Sequence, residues 1–232
     1  MAGYPCQINA FSVYQLSEIK MSLKLYLLRH GETTYSQTGA YCGEVDAELT
    51  AEGQLMAQAF ADAYKSIEWA DVFVSPMKRA IATAKPLCDT LGLPMQIREG
   101  LREISYGAWE DKDLDYVKQH YEQDYIRWMT EPAWNPPTGG ETAVQIANRA
   151  MAVIAEIEAK HKDGNVLIVS HKATIRIIIC SLLGMDIGRY RDRVNAMAAS
   201  VSVIKFATYG PMLEILGDRH YMPLALQNRA GT

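Results

Sequence analysis

Two arginines and two histidines stand where short apolar runs end. Leu25-Tyr26-Leu27-Leu28 stops in Arg29-His30-Gly31, Asp71 to Val74 stops in Ser75-Pro76 with Arg79 just beyond, and Asn165 to Val169 stops in Ser170-His171. Runs this short suit buried strands and are too short for helices. Residues that follow such a strand sit at its carboxyl end, where open α/β sheets bind ligands. Arg29 offers a planar fork for an oxyanion, and His30 read alone could be a base, a nucleophile or a metal ligand. If the three strands are parallel neighbours, two Arg and two His converge over one sheet edge. Helix amino-termini at that edge add partial positive charge and free N–H groups. A pocket of this composition suits a dianion, and phosphate is the obvious one. Neither an H-x-H spacing nor a nearby carboxylate completes a metal set, and the arginines would repel a cation. No G-x-S-x-G elbow supplies a serine nucleophile. His30 is left as the group placed to attack phosphorus.

The elements that must position these groups alternate. Thr34 to Glu48 reads as a polar loop crossing above the first strand. Thr50 is an N-cap for an amphipathic helix over Ala51 to Ser66, in which Leu55, Ala59, Ala63 and Ile67 share a face. The Asp71 to Val74 strand leads to a helix over Met77 to Leu91, stopped by Gly92 with Pro94 beyond, and Met95 to Ile97 reads as a short strand. Residues 107–140 break this rhythm with Trp109, Tyr116, Tyr121, Tyr125, Trp128 and Trp134, then Asn135-Pro136-Pro137-Thr138-Gly139-Gly140. They are expected to form a small helical cap in which most of the aromatics serve packing. A long helix spans Thr142 to His161, the third buried strand follows, and Ala173 to Leu183 forms another helix. Val201 to Phe206 and Met212 to Leu216 read as an antiparallel hairpin around a Tyr209-Gly210-Pro211 turn. The predicted architecture is a three-layer α/β/α sandwich with a mainly parallel sheet, one antiparallel edge region and a small helical cap.

The 232 residues, 49% hydrophobic, suffice for one core, expected over 21–232, with residues 1–20 as an N-terminal arm. A net charge of −4 argues against nucleic-acid binding, so any anion site must be a local concentration of Arg and His. Cys6, Cys42, Cys88 and Cys180 are scattered, as in reduced cytoplasmic proteins. The most apolar run, Ile175 to Leu183, is too short to span a membrane, and the start lacks a signal-peptide pattern.

Four motifs together resemble the histidine phosphatase superfamily, the phosphoglycerate mutase-like group. They are Arg29-His30-Gly31-Glu32-Thr33, Ser75-Pro76-Met77-Lys78-Arg79-Ala80, Leu101-Arg102-Glu103-Ile104-Ser105-Tyr106-Gly107, and Val169-Ser170-His171-Lys172-Ala173-Thr174-Ile175-Arg176. Gly43, Asp46, Thr50, Gly53 and Gly139-Gly140-Glu141 fit the same spacing. The resemblance implies a phosphohistidine at His30, a proton donor at Glu103, and Arg29, Arg79 and His171 around the phosphoryl group. It implies no metal and no cofactor. Tyr106 and Trp109 are candidates for an apolar neighbourhood that would raise the acid's pKa.

Departures from the family pattern fall at Ser36, where relatives often have Asn, at Cys42 before Gly43, and at Lys172-Ala173, where many carry Gly-Gly. Ser36, Cys42, Gly43 and Lys172 are therefore candidate substrate-binding positions. Mutases of the family carry a longer insertion with paired basic residues. Here Lys112, Lys118 and Arg127 are well separated, which favours a short-branch phosphatase acting on a small phosphorylated metabolite in the cytoplasm. A phosphoglycerate mutase, an α-ribazole phosphate phosphatase and a non-catalytic phosphate-binding or signalling module are the alternatives, and a homodimer is compatible with any of them.

Overall fold

Alternation along each strand sends neighbouring side chains to opposite faces, and the core divides accordingly. In the computed structural model, which describes residues 22–229 and 231, β1 (Lys24–Arg29) places Leu25 and Leu27 on one face and Leu28 on the other. β4 (Asn165–Ser170) repeats the pattern, with Val166 and Ile168 opposite Leu167 and Val169. With β2 (Trp69–Val74), β3 (Met95–Ile97), β5 (Val201–Ala207) and β6 (Gly210–Asp218) they form a sheet in the order β3-β2-β4-β1-β5-β6. The first four strands are parallel, and β5 and β6 are antiparallel. The arm expected over residues 1–20 lies outside the described residues.

Helices cover both faces. α2 (Ala51–Tyr64) and α3 (Lys78–Leu91) bury Phe60, Ala61, Ala80, Ala84 and Leu87 against one. α6 (Ala143–Lys160) and α7 (Lys172–Leu182) bury Ile146, Ile154, Ile177 and Ile178 against the other. This is the three-layer α/β sandwich, with the inner parallel strands β1, β2 and β4 buried on both sides and β3 at the open edge. Among the described residues no helix is long and apolar enough to cross a membrane.

Three details differ from the sequence reading. α2 turns Met56, Ala57, Phe60 and Ala61 inward and leaves Leu55 58% exposed, so its buried stripe lies one residue on from the face of Leu55, Ala59 and Ala63. Thr34–Thr38 is a short helix (α1), because Thr33 and Ser36 cap each other reciprocally and Gly39 ends the turn in the left-handed region. The final hairpin turns at Thr208-Tyr209, since Ala207 already pairs with Gly210. Pro211 is accommodated because β6 is an edge strand.

The cap contains α4 (Leu114–His120) and α5 (Glu122–Thr130) around buried Trp109, Val117 and Trp128, with Tyr106, Tyr121 and Tyr125 packed on them. Trp134 is exposed and takes no part. The cap joins the core through a narrow neck. A Cβ on Gly107 would lie 2.4 Å from the Thr138 carbonyl, and one on Gly140 would lie 2.3 Å from that of Ser105. Only glycine lets the two backbones cross this closely. The Ala108 N–H donates to Thr138 O and the Glu141 N–H to Ser105 O, each at 2.9 Å.

Candidate active site

A cavity of about 350 Å³ opens over the carboxyl ends of β1, β2 and β4. Arg29, His30, Arg79 and Glu103 line it, with Tyr41, Tyr106, Trp128 and Tyr190 as aromatic walls. The strand register explains the convergence: Arg29 at the end of β1 pairs with Ser170 at the end of β4, and Val74 at the end of β2 pairs with Val169.

His30 is held through backbone. Its Nδ1 lies 2.7 Å from the Gly31 carbonyl, which can only accept, so Nδ1 carries the proton and Nε2 keeps its lone pair. The His30 N–H donates to Ser170 O at 3.0 Å, and its carbonyl accepts from Ala199 N at 3.1 Å. Burial, then the charges of Arg79 and Arg29, hold the imidazole well below its usual range, so the ring is neutral at pH 7.

His171 faces His30, ring centroids 5.1 Å apart. Arg79 Nε donates to its Nδ1 at 3.2 Å, which puts the neutral ring's proton on Nε2, 2.7 Å from Ser75 Oγ. Burial first, with Arg79, His30 and Arg29 adding to it, lowers this group as well. Arg79 also donates to the carbonyls of Val45 at 2.7 Å and Gly43 at 2.9 Å. Arg29 donates from Nη1 to Ala196 O at 2.8 Å; burial pushes its pKa down to about 10, so it keeps its charge. Glu103 sits at the start of α7: Oε1 accepts from Ile104 N at 3.0 Å and Ala173 N at 3.2 Å. A carboxylate suits a helix amino-terminus. Tyr106 and Trp128, rather than Trp109, line the cavity, because Trp109 turns into the cap cluster and donates to Thr138 Oγ1.

The four candidate substrate positions fare differently. Ser36 lines the cavity and is buried, and its hydroxyl serves the α1 cap, donating to Thr33 O and accepting from Thr33 N. Cys42 lines the cavity too. Burial raises its thiol, which donates to Val45 O at 3.4 Å and is a poor nucleophile in that form. Gly43, at φ +50°, presents its carbonyl to Arg79, and a Cβ there would meet Glu110 Oε1 at 2.3 Å. It lines the cavity as well, beside the arginine it holds. Lys172 lines the cavity from the first turn of α7. Among the described residues no three His, Cys, Asp or Glu side chains come together in a way that could hold a metal ion.

Sequence reasoning missed Arg149 on α6. It donates to the carbonyls of Gly100 and Arg102 at 2.8 Å and of Glu103 at 3.0 Å, and to both Glu141 oxygens at 3.0 Å. Glu141 in turn accepts from Ser105 N. The loop carrying Glu103 is fixed by this arginine. Arg229 was missed as well: it donates to both oxygens of buried Glu32, beside His30, at 2.7 and 2.9 Å. A basic residue one heptad into a helix, or near a chain end, carries no sequence signal of such a role.

The profile of the histidine phosphatase superfamily (branch 1) matches residues 25–219. Phosphoserine phosphatase 1 of Hydrogenobacter thermophilus is 29% identical over 72% of this chain and 80% of its own length. Adenosylcobalamin/alpha-ribazole phosphatase of Escherichia coli is 31% identical over 85% of this chain and 97% of its own. The crystal structure of the alpha-ribazole phosphatase from Shigella flexneri superposes with a TM-score of 0.77 at 28% identity, covering 84% of this chain and 96% of that one. The chain belongs to the histidine phosphatase superfamily, branch 1, as a hydrolase of phosphate monoesters.

Proposed function

We propose that this chain releases phosphate from a small phosphorylated metabolite through a phosphohistidine at His30. The observation that carries the proposal is the His30 ring: neutral, proton anchored on Gly31 O, and the Nε2 lone pair free in a cavity lined by Arg29 and Arg79. Nε2 attacks phosphorus, and the P–O bond to the alcohol breaks. Arg29 and Arg79 neutralise the charge on the equatorial oxygens, which is most of what phosphoryl transfer asks of a protein. His171, buried beside His30, orients Arg79 by accepting from its Nε at Nδ1. Glu103, protonated, gives its proton to the departing alkoxide. It then takes one from the water that attacks phosphohistidine, which returns His30 and inorganic phosphate. The cavity volume of about 350 Å³ fits a small ester.

The test is acid-labile, base-stable phosphate incorporation into rapidly quenched protein, alongside steady-state phosphate release. His30→Ala is expected to lose both, with kcat down at least about 1,000-fold. Full turnover in that variant would overturn the mechanism. Glu103→Gln is expected to keep the phosphoenzyme from an activated aryl ester, whose leaving group needs no proton, and to slow its hydrolysis.

A further inference from the structure

The cavity has a second cationic wall that phosphoryl transfer does not use. It is built from Lys172 and Arg176, one turn apart on α7, Arg191 on α8 (Tyr190–Arg193), and Trp128 on the cap helix α5. Five other arginines have carboxylate partners: Arg98 with Glu156, Arg102 with Glu44, Arg127 with Asp124, Arg149 with Glu141 and Arg229 with Glu32, while Arg29, Arg79 and Arg219 donate to backbone carbonyls. Among the described residues Arg176 and Lys172 form no ion pair. Arg191 lies 3.7 Å over the Trp128 ring and donates to Met129 Sδ, which is a weak acceptor.

Three donors on this wall are buried and have no hydrogen-bond partner among the described residues: Arg176 Nε, Arg191 Nη1 and the Trp128 indole N–H. Trp128 is only 4% exposed. Buried N–H groups are rarely left unmet, and several on one cavity wall call for an acceptor that arrives with the ligand. The acidic groups lining the cavity are Glu103, committed to α7, and Asp192, which faces Arg189 at 3.8 Å. Burial, then Arg29 and Arg176, push Lys172 down to about 8, and the opposing charge of Glu103 offsets this only in part. The protein as a whole carries −4, so this excess is local.

We propose that Lys172, Arg176, Arg191 and Trp128 form a specificity subsite for a second oxyanion, so that the substrate is a phosphate monoester bearing a carboxylate or a second phosphate. The inference rests on the reading of the cavity floor as the phosphoryl site, and it adds the chemistry of the leaving group. Three buried donors with no acceptor of their own, beside the Lys172 ammonium, exclude a neutral sugar hydroxyl as the best fit and favour an acceptor-only group. A neutral analogue leaves these donors unpaired, which is where discrimination arises.

The test compares matched esters that differ only in the second anion: phosphoserine with phosphoethanolamine for carboxylate, and 1,3-propanediol bisphosphate with propyl phosphate for phosphate. In the wild-type protein kcat/KM is expected to favour the doubly anionic member of at least one pair by about 10- to 100-fold. The preferred pair identifies the oxyanion. Arg191→Met and Lys172→Met are each expected to shrink that ratio about tenfold, mainly through KM. The ratio is taken within one variant, so partial misfolding cancels. A wild-type ratio near one, or a ratio unchanged in both variants, would overturn the subsite and leave the phosphatase reading standing. Release of phosphate from none of the esters would overturn both.

Discussion

The floor and the outer wall of the cavity are both cationic, and they are held in opposite ways. On the floor, Arg79 spends donors on Gly43 O, Val45 O and His171 Nδ1, and Arg29 on Ala196 O. The outer wall leaves Arg176 Nε, Arg191 Nη1 and Trp128 Nε1 unmet, and Arg191 is positioned chiefly by stacking on an aromatic ring. Backbone carbonyls fix a guanidinium to within the narrow tolerance that phosphoryl transfer requires. Stacking on a cap helix gives charge with more freedom, which suits recognition of a variable group. The two walls separate chemistry from selection.

Breaking the floor should have the largest effect. Arg79→Lys is expected to lower kcat by about 100- to 1,000-fold on any ester, because an ammonium cannot reproduce a fork that engages two carbonyls and an imidazole while facing the phosphoryl group. Steady-state kinetics on phosphoserine and on p-nitrophenyl phosphate checks this, and a loss confined to one substrate would contradict the division of labour. Next comes Arg149→Met, which strands three carbonyls behind Glu103. It should cost about 3 kcal/mol of stability by urea denaturation and slow an alkyl ester more than an aryl one, since the aryl leaving group needs less help from the acid.

The cap should be more forgiving. Trp128→Phe removes an unmet buried N–H as well as part of the stacking surface, so stability should stay within about 1 kcal/mol. Its thermal midpoint should sit within a few degrees of wild type. A further effect is graded with pH. His30 and His171 are neutral when folded, with pKa values well below about 6.5, whereas the unfolded chain takes up protons there. Below that pH the unfolded state binds more protons, so stability is retained above about pH 6.5 and lost on acidification, by up to about 1.4 kcal/mol per pH unit for each histidine. Denaturation at pH 7.5 and 5.5, repeated with His171→Asn, should show a shallower slope in the variant.

The floor was legible in the sequence because its residues punctuate it. An apolar run that ends in Arg-His or Ser-His is visible without knowing what lies beside it, and parallel pairing then brings the ends together. The short capped helix after Thr33 escaped because its Thr-Ser box is a weaker signal than one with Glu or Gln. Arg149 escaped for a different reason: its carbonyl acceptors lie 46 to 49 residues earlier, on a loop whose path is set by tertiary packing. Arg191 and Trp128 look like ordinary surface and core residues until the cap folds over α8. Trp109 is close to Glu103 in sequence, but the cap cluster holds it away from that carboxylate's cavity.

The neck at Gly107 and Gly140 has a consequence for how such proteins diversify. The core itself pins the two ends of segment 108–138 against each other through backbone contacts. The segment therefore behaves as a closed loop whose interior can be lengthened cheaply, each doubling costing only about 0.6 kcal/mol in closure entropy. A cap transplanted between relatives at these two glycines should carry its selectivity with it, provided residue 191 is exchanged to match, and the transferred cassette would inherit a phosphoryl floor already assembled.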